Sequence, residues 1–223
     1  MSPIGSKKRK IKCHFCAKEA EYMKIFDDFF CPKCLRFQTE SQVKEIKLLP
    51  LLKLKKYHFA AHKHTYVIYN EMESKIGSCK RRDLSKYISK KNHNIRYYFF
   101  NDIHRIIASV DGKTFNVLND NDASWKVYDY GRNFRGEILH IANSDTWQIK
   151  NSNEDIIALR DPKDGRAALQ TARQFTMIGS NDPDKILFRI IRKGGFKLEI
   201  LSADTDPHIA WGVVVAIHRR YYV

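Results

Sequence analysis

Among 223 residues no apolar run is longer than the nine from Ile209 to Ile217, and a membrane-crossing helix needs about twenty. The N-terminal SPIGSKKRKIK is basic but has no apolar stretch after it, so the sequence predicts neither a spanning segment nor a secretory leader. Acidic residues are also scarce: 25 Asp and Glu face 40 Lys and Arg, for a formal charge of +15. That balance favours nucleic acid, anionic phospholipid or another polyanion as partner. The excess is regional. Residues 1–96 hold 23 basic and 9 acidic side chains, whereas residues 97–223 hold 17 and 16. No G-x-S-x-G, H-E-x-x-H or G-x-G-x-x-G occurs, so the expectation is a protein that is not an enzyme. Gly112-Lys113-Thr114 looks like the end of a phosphate-binding loop, but Ile107 stands where the upstream glycine is required, and Lys113 reads as a turn lysine. Asp120-Asn-Asp122-Ala-Ser124 lacks the central Gly and terminal Glu of a calcium loop and reads as a hairpin turn.

Cysteines are few, but four of the five are placed informatively. Cys13-His-Phe-Cys16 and Cys31-Pro-Lys-Cys34 are two C-x2-C knuckles separated by fourteen residues. Thiolates at i and i+3 can face one ion from a tight turn, and two such turns complete the tetrahedron that zinc accepts. Glu21 to Phe30 between them reads as two short strands around Asp27-Asp28. Residues 11–37 therefore resemble a zinc ribbon, with Cys13, Cys16, Cys31 and Cys34 filling a structural site. Ala17 and Leu35 stand directly after the knuckles, where such ribbons usually carry glycine, so a left-handed turn is harder to make there. A chain without an export signal and with this cysteine usage is expected in a reducing, cytoplasmic compartment. Cys79 is left over and reads as a buried free thiol.

Residues 1–10 read as a disordered basic tail and 38–54 as a connecting helix and linker. Thr39-Glu-Ser-Gln42 forms a capping box, and Val43, Ile46 and Leu49 recur at helical spacing until Pro50. From Lys55 the hydrophobic period changes to near two. Five segments then repeat the order aromatic, any, aliphatic, any, Asn/Asp/Gly: Tyr66 to Asn70, Phe115 to Asn119, Trp125 to Asp129, Trp147 to Asn151 and Phe175 to Gly179. First and third positions share a strand face, so each copy gives one core a bulky and an apolar residue before a turn. Second apolar runs follow, at Lys75 to Gly77, Gly136 to Leu139, Asp155 to Ala158 and Lys185 to Phe188. The pattern is a chain of hairpins, which closes to remove its edges. Asp206-Pro207 marks a helix start, and Ile209 to Tyr222 reads as a helix apolar around most of its circumference, hence buried in the β structure.

Those hairpin units, TYVIYNEMESKIGSC (Thr65–Cys79), WKVYDYGRNFRGEIL (Trp125–Leu139) and WQIKNSNEDIIALRD (Trp147–Asp161), together with the tail from Ile200 to Tyr222, resemble the tubby-like superfamily. The likeness is to its phospholipid-scramblase and LURP-one-related branches and spans roughly residues 55–223. It implies a closed β-barrel of about twelve strands around the C-terminal helix. Fold does not set function. The resemblance implies phospholipid scrambling, phosphoinositide binding, or no known activity; the cysteine-rich and proline-rich segments of scramblases are absent. Asp204 and Asp206 stand where scramblases carry a calcium-associated loop, but the loop is short, and helix capping explains the same residues.

The fold class expected is thus mainly β: a small zinc ribbon plus a closed β-barrel-like meander around a buried hydrophobic C-terminal helix. Polyanion contacts are expected from two basic clusters. One is Lys7, Lys8, Arg9 and Lys10, followed by Lys12; the other is Lys80, Arg81 and Arg82, followed by Lys86, Lys90, Lys91 and Arg96, with Tyr87, Tyr97 and Tyr98 interleaved for stacking on bases. His58, His62 and His64 have no nearby carboxylate or cysteine and read as a basic strand surface. The partner is anionic phospholipid or nucleic acid, with a protein partner as a third reading.

Overall fold

The computed structural model describes residues 10–13, 16–23, 28–34, 36–38, 52–62, 65–83, 94–101, 106–113, 123–164 and 173–221. Two compact units divide the chain, residues 1–44 and 45–223.

In the first unit, four antiparallel strands follow in sheet order: β1 (Lys10–Lys12), β2 (Glu19–Met23), β3 (Asp28–Cys31) and β4 (Arg36–Phe37). Lys10 is the first strand residue, opposite Glu21, and not part of a tail. The apolar core is small. Cys13, Ala20 and Cys31 are buried together, with Ile11, Cys16, Phe29 and Cys34 packed around them. Phe30 and Phe37 pair across β3 and β4 with ring centroids 5.1 Å apart. The capping box and the helix expected over residues 39–49 lie outside the described residues.

The second unit is a closed barrel of twelve antiparallel strands: β5 (Lys56–His62), β6 (Thr65–Tyr69), β7 (Lys75–Asp83), β8 (Asn94–Asn101), β9 (Ile106–Lys113), β10 (Ala123–Asp129), β11 (Phe134–Ile141), β12 (Thr146–Asn151), β13 (Ile156–Arg160), β14 (Gln174–Gly179), β15 (Ile186–Arg192) and β16 (Phe196–Ile200). Each strand pairs with its sequence neighbours, and β16 pairs with β5 to close the ring. Lys113 is the last residue of β9, opposite Asn94, so it is a strand end where the sequence predicted a turn.

Four of the five repeats fall on the described residues and supply paired inward positions. Tyr66 and Ile68, Trp125 and Val127, Trp147 and Ile149, and Phe175 and Met177 are all buried. The Asn or Asp that ends three copies has a specific task. Asn70 Oδ1 accepts the amides of Met72 and Ser74, Asp129 Oδ1 those of Gly131 and Asn133, and Asn151 Oδ1 those of Asn153 and Asp155. In each, the residue three places on is left-handed: Glu73, Arg132 and Glu154 have φ of 58, 62 and 69°. The short side chain ties down two amides that the turn would leave unpaired. Phe115 to Asn119, the fifth copy, lies outside the described residues.

The helix α1 (Pro207–Tyr221) starts two residues earlier than its apolar run, and every residue from His208 to His218 is buried. Asp206 caps it by accepting the His208 amide at 2.9 Å, the cap that the Asp-Pro pair predicts. Trp211 packs edge-on against Tyr57 and stacks on Phe99 at centroid distances of 5.4 and 5.6 Å. Gly212 permits the close approach, because a Cβ there would meet Val127 Cγ2 at 2.9 Å and Ile138 Cδ1 at 3.0 Å. The barrel is therefore filled by its own chain.

Candidate functional site

Two places carry chemistry. In the first unit the two knuckles bring Cys13, Cys16, Cys31 and Cys34 together, with the four sulfurs all within 4.8 Å of one another. Cys13 Sγ is 3.5 Å from Cys34 Sγ, and Cys16 Sγ is 3.5 Å from Cys31 Sγ. A disulfide would need about 2 Å. Four thiolates at about 2.3 Å from one zinc ion lie about 3.8 Å apart at tetrahedral angles, so the cluster has the size and donor set that zinc takes. Burial, then hydrogen bonds from its neighbours, pushes the Cys34 thiol well up, and burial does the same to Cys31. Without a cation Cys31 and Cys34 resist ionising; a divalent ion is the counter-charge that four clustered thiolates require. Gln38 Nε2 donates to Cys13 Sγ at 3.5 Å. Cys13 accepts the Ala17 amide at 2.9 Å, and Ala17 adopts φ of 56°, so the first knuckle makes its left-handed turn without the expected glycine. Among the described residues this is the one group of three or more such ligands. His58 and His62 of β5 do not join it.

The predicted basic clusters fare differently from their sequence reading. Lys7, Lys8, Arg9, Lys86, Tyr87, Lys90 and Lys91 lie outside the described residues. Lys10 pairs with Glu19 at 2.6 Å. Lys80, Arg81 and Arg82 belong to β7, and strand alternation separates them: Arg81 shares the face of buried Cys79, whereas Lys80 lies on the opposite face over the Phe100 ring at 5.7 Å. Tyr97 and Tyr98 are buried, so neither offers the stacking surface assigned to it. Arg96 is buried too, donating to Asp111 at 2.5 and 2.7 Å.

A second site emerges at the end of the barrel where α1 finishes. Every β-turn of an up-and-down barrel lies alternately at one end or the other, so the turns sort into two sets. The end that holds the start of α1 collects the turns after β6 (Glu71, Glu73), β10 (Arg132), β12 (Glu154, Asp155) and β14 (Asp182, Asp184, Lys185), and the segment after β16 (Asp204, Asp206). Among the described residues of these turns that is eight acidic against two basic. Asp204 pairs with Lys185, and Asp206 with Arg135 at 2.7 Å and His208 at 2.8 Å. Burial would raise the Asp206 carboxyl, but His208 and then Arg135 outweigh it and hold the carboxyl at about 2. The aspartates matched to a calcium loop are thus a helix cap and a surface ion pair.

The opposite end carries Arg81 of β7, Arg192 of β15, Lys193, and Arg219 and Arg220 at the close of α1. Three of its carboxylates are engaged locally. Asp145 accepts from Arg160 and Tyr221 at 3.1 and 2.6 Å and lies 3.0 Å from His140 Nε2; Asp161 accepts the Lys163 amide, and Asp164 the Thr176 amide. Burial pushes the Tyr97 phenol up to about 12, against the opposing pull of Arg219 and Arg81. Here a pocket of about 370 Å³ opens beside the β15–β16 turn, lined by Ala60, Ala61 and His62 of β5, by Arg192, Gly194, Gly195 and Phe196, and by His218 of α1. His218 Nδ1 lies 2.5 Å from the Tyr66 hydroxyl and its ring meets Phe196 edge-on at 5.2 Å. Gly194 and Gly195 have φ of 62 and 132°, and a Cβ on Gly195 would lie 2.5 Å from the Phe59 carbonyl oxygen, so the turn hugs β5 only because residue 195 is glycine. Sequence reading missed Arg192 and His218. The signal was present in Arg192-Lys-Gly-Gly195 and His218-Arg-Arg220, two basic strings that nothing linear connects.

No protein-family model matches the chain, and no curated protein matches it either. Among solved structures, an Arabidopsis thaliana protein known by X-ray structure matches with a TM-score of 0.50 and 11% identity, over 76% of this chain and 94% of that one. At that identity the likeness shows a common fold and nothing more. Twelve strands closed around a C-terminal helix are what the sequence resemblance implies. No helix among the described residues is long and apolar enough to cross a membrane.

Proposed function

We propose that this chain is a non-enzymatic binding protein in which a structural zinc ribbon accompanies a tubby-like barrel that docks end-on against anionic phospholipid. The observation that carries the reading is the charge separation along the barrel: among the described residues the α1-start end has eight acidic and two basic turn residues, whereas the other end presents Arg81, Arg192, Lys193, Arg219 and Arg220 against Asp145, Asp161 and Asp164. A barrel filled by its own helix has no lumen to offer a ligand, which leaves its ends and outer face. An anionic bilayer attracts the basic end and repels the acidic one, with about 1 kcal/mol per Lys or Arg near the surface. The nucleic-acid reading loses support because Tyr97 and Tyr98 are buried and Arg96 and Lys10 are ion-paired. The four-cysteine cluster supports zinc as its resident ion, closed to substrate by a complete ligand set.

Flotation of the full chain with vesicles tests this. Binding to phosphatidylserine-containing vesicles, little binding to phosphatidylcholine alone, and release by high salt are expected. Charge reversal of Arg219 and Arg220 should abolish flotation, and reversal of Glu154 and Asp155 should not. Equal binding to neutral vesicles, or no flotation alongside a salt-sensitive mobility shift on RNA or DNA, would overturn it.

A further inference from the structure

We infer that a pocket on the outer face of the barrel, between β16, β5 and the β6–β7 turn, binds a zwitterion of dipeptide size. The pocket is about 310 Å³, at the small end of ligand sites. Strand alternation buries Tyr57 and Leu198 and turns Lys56, His58, Lys197 and Glu199 outward. Glu71 and Glu73 enter from the turn after Tyr69. Both signs of charge thus line one volume, yet Lys56, Lys197, Glu71, Glu73 and Glu199 form no ion pair among the described residues. A ligand that carries both signs can pair with both sets, whereas a simple cation or anion is attracted by one set and repelled by the other. This site is separate from lipid docking, which concerns the opposite end of the barrel.

The register sorts these charges into two rows. Lys197 stands opposite His58, and His58 opposite Tyr69; Glu199 stands opposite Lys56. The rows are two residues apart along their strands, or about 6.6 Å. His58 is held as a wall: its ring lies against Tyr69 at a centroid distance of 6.0 Å, and Nε2 is 3.4 Å from the Gly194 carbonyl oxygen. Lys197 is therefore the charge of the first row, whereas the second row and the turn beyond it set Glu199, Glu71 and Glu73 against one lysine, Lys56. An extended dipeptide holds its ammonium and carboxylate at most about 7 Å apart, which matches the spacing of the rows. Its carboxylate meets Lys197 and its ammonium meets the glutamates. The turn is built in advance, since Asn70 Oδ1 accepts the Met72 and Ser74 amides and the Asn70 carbonyl accepts the Glu73 amide at 3.1 Å. Little backbone order is then lost on binding.

Full-length, isotope-labelled protein is titrated separately with glycylglycine, 1,4-diaminobutane and succinate, with amide resonances as the readout. Glycylglycine should shift the amides of His58, Glu71, Glu73 and Lys197 along one saturable curve. The diamine and the diacid carry one sign each and should bind about tenfold more weakly or not at all. Lys197→Gln and Glu73→Gln should each weaken glycylglycine about tenfold, and Glu154→Gln, at the same end but outside the pocket, should leave it unchanged. Lys197→Glu should exchange the preference, losing glycylglycine and gaining the diamine, a result that a misfolded variant would not give. A diamine that binds the wild type as tightly as glycylglycine would reduce the pocket to a patch of negative charge and overturn the inference. Glycylglycine shifts that do not saturate below about 10 mM, or that survive both Lys197→Gln and Glu73→Gln, would also overturn it.

Discussion

The ribbon and the barrel are both antiparallel β structure, yet different forces hold them. In the barrel, twelve strands converge on a helix whose residues from His208 to His218 are all buried, so apolar contact accounts for its order. The ribbon has four short strands and a core of Cys13, Ala20 and Cys31 with a few neighbours. A module of that size cannot bury enough surface to offset its chain entropy and needs a staple. Cysteine is therefore used oppositely in the two units. The ribbon gathers four thiols around one point, whereas Cys79 of the barrel is an isolated buried thiol raised well above its ordinary value by burial alone.

The sharpest way to break that comparison is to remove the metal. A chelator, or Cys31→Ser, should collapse residues 10–38 while residues 56–221 keep their amide dispersion, since zinc supplies roughly 10–16 kcal/mol to modules of this kind. Metal analysis finding no zinc, or a ribbon that keeps its dispersion after chelation, would end the reading. The next effect belongs to the barrel. Trp211→Ala leaves a void between Tyr57 and Phe99 and should cost about 3–5 kcal/mol by denaturant unfolding of residues 56–221, with zinc content unchanged. A loss under about 1 kcal/mol would show that the helix is not the barrel's core.

A smaller effect tests the helix start. The Asp206 carboxyl is held at about 2, below its ordinary 3.8, so its stabilisation is fully present above the ordinary value and is lost as pH falls through about 2. Asp206→Asn should cost about 2 kcal/mol near neutrality, and the gap between variant and wild type should close between pH 4 and 2. A gap that stays constant with pH would assign the loss to packing, not charge.

Much of this was legible because it is local. A C-x2-C knuckle sets two sulfurs on one side of a turn, whatever surrounds it. The repeat of aromatic, aliphatic and Asn or Asp encodes both an inward strand face and the side chain that closes the turn, as Asn70, Asp129 and Asn151 show. Other readings failed for want of pairing information. Lys80 to Arg82 looks like one basic patch along the chain, but a strand turns successive side chains to opposite faces. Tyr97 and Tyr98 look like stacking residues only while their burial is unknown.

The charge of the barrel is the clearest division between the two levels. Summed along residues 97–223, the part of the barrel that follows β7 and the first residues of β8, it nearly vanishes, at 17 basic against 16 acidic, and no local pattern says otherwise. The sequence by itself determined the strand period, the turn chemistry, the knuckles and the apolar helix, because each depends on residues a few places apart. Only the closed meander sorted the turns by end, setting acids from four segments on one rim and His62, Arg192 and His218 around a pocket on the other. Electrostatic potential sums charges through space, so residues more than a hundred positions apart act together only once the ring has closed.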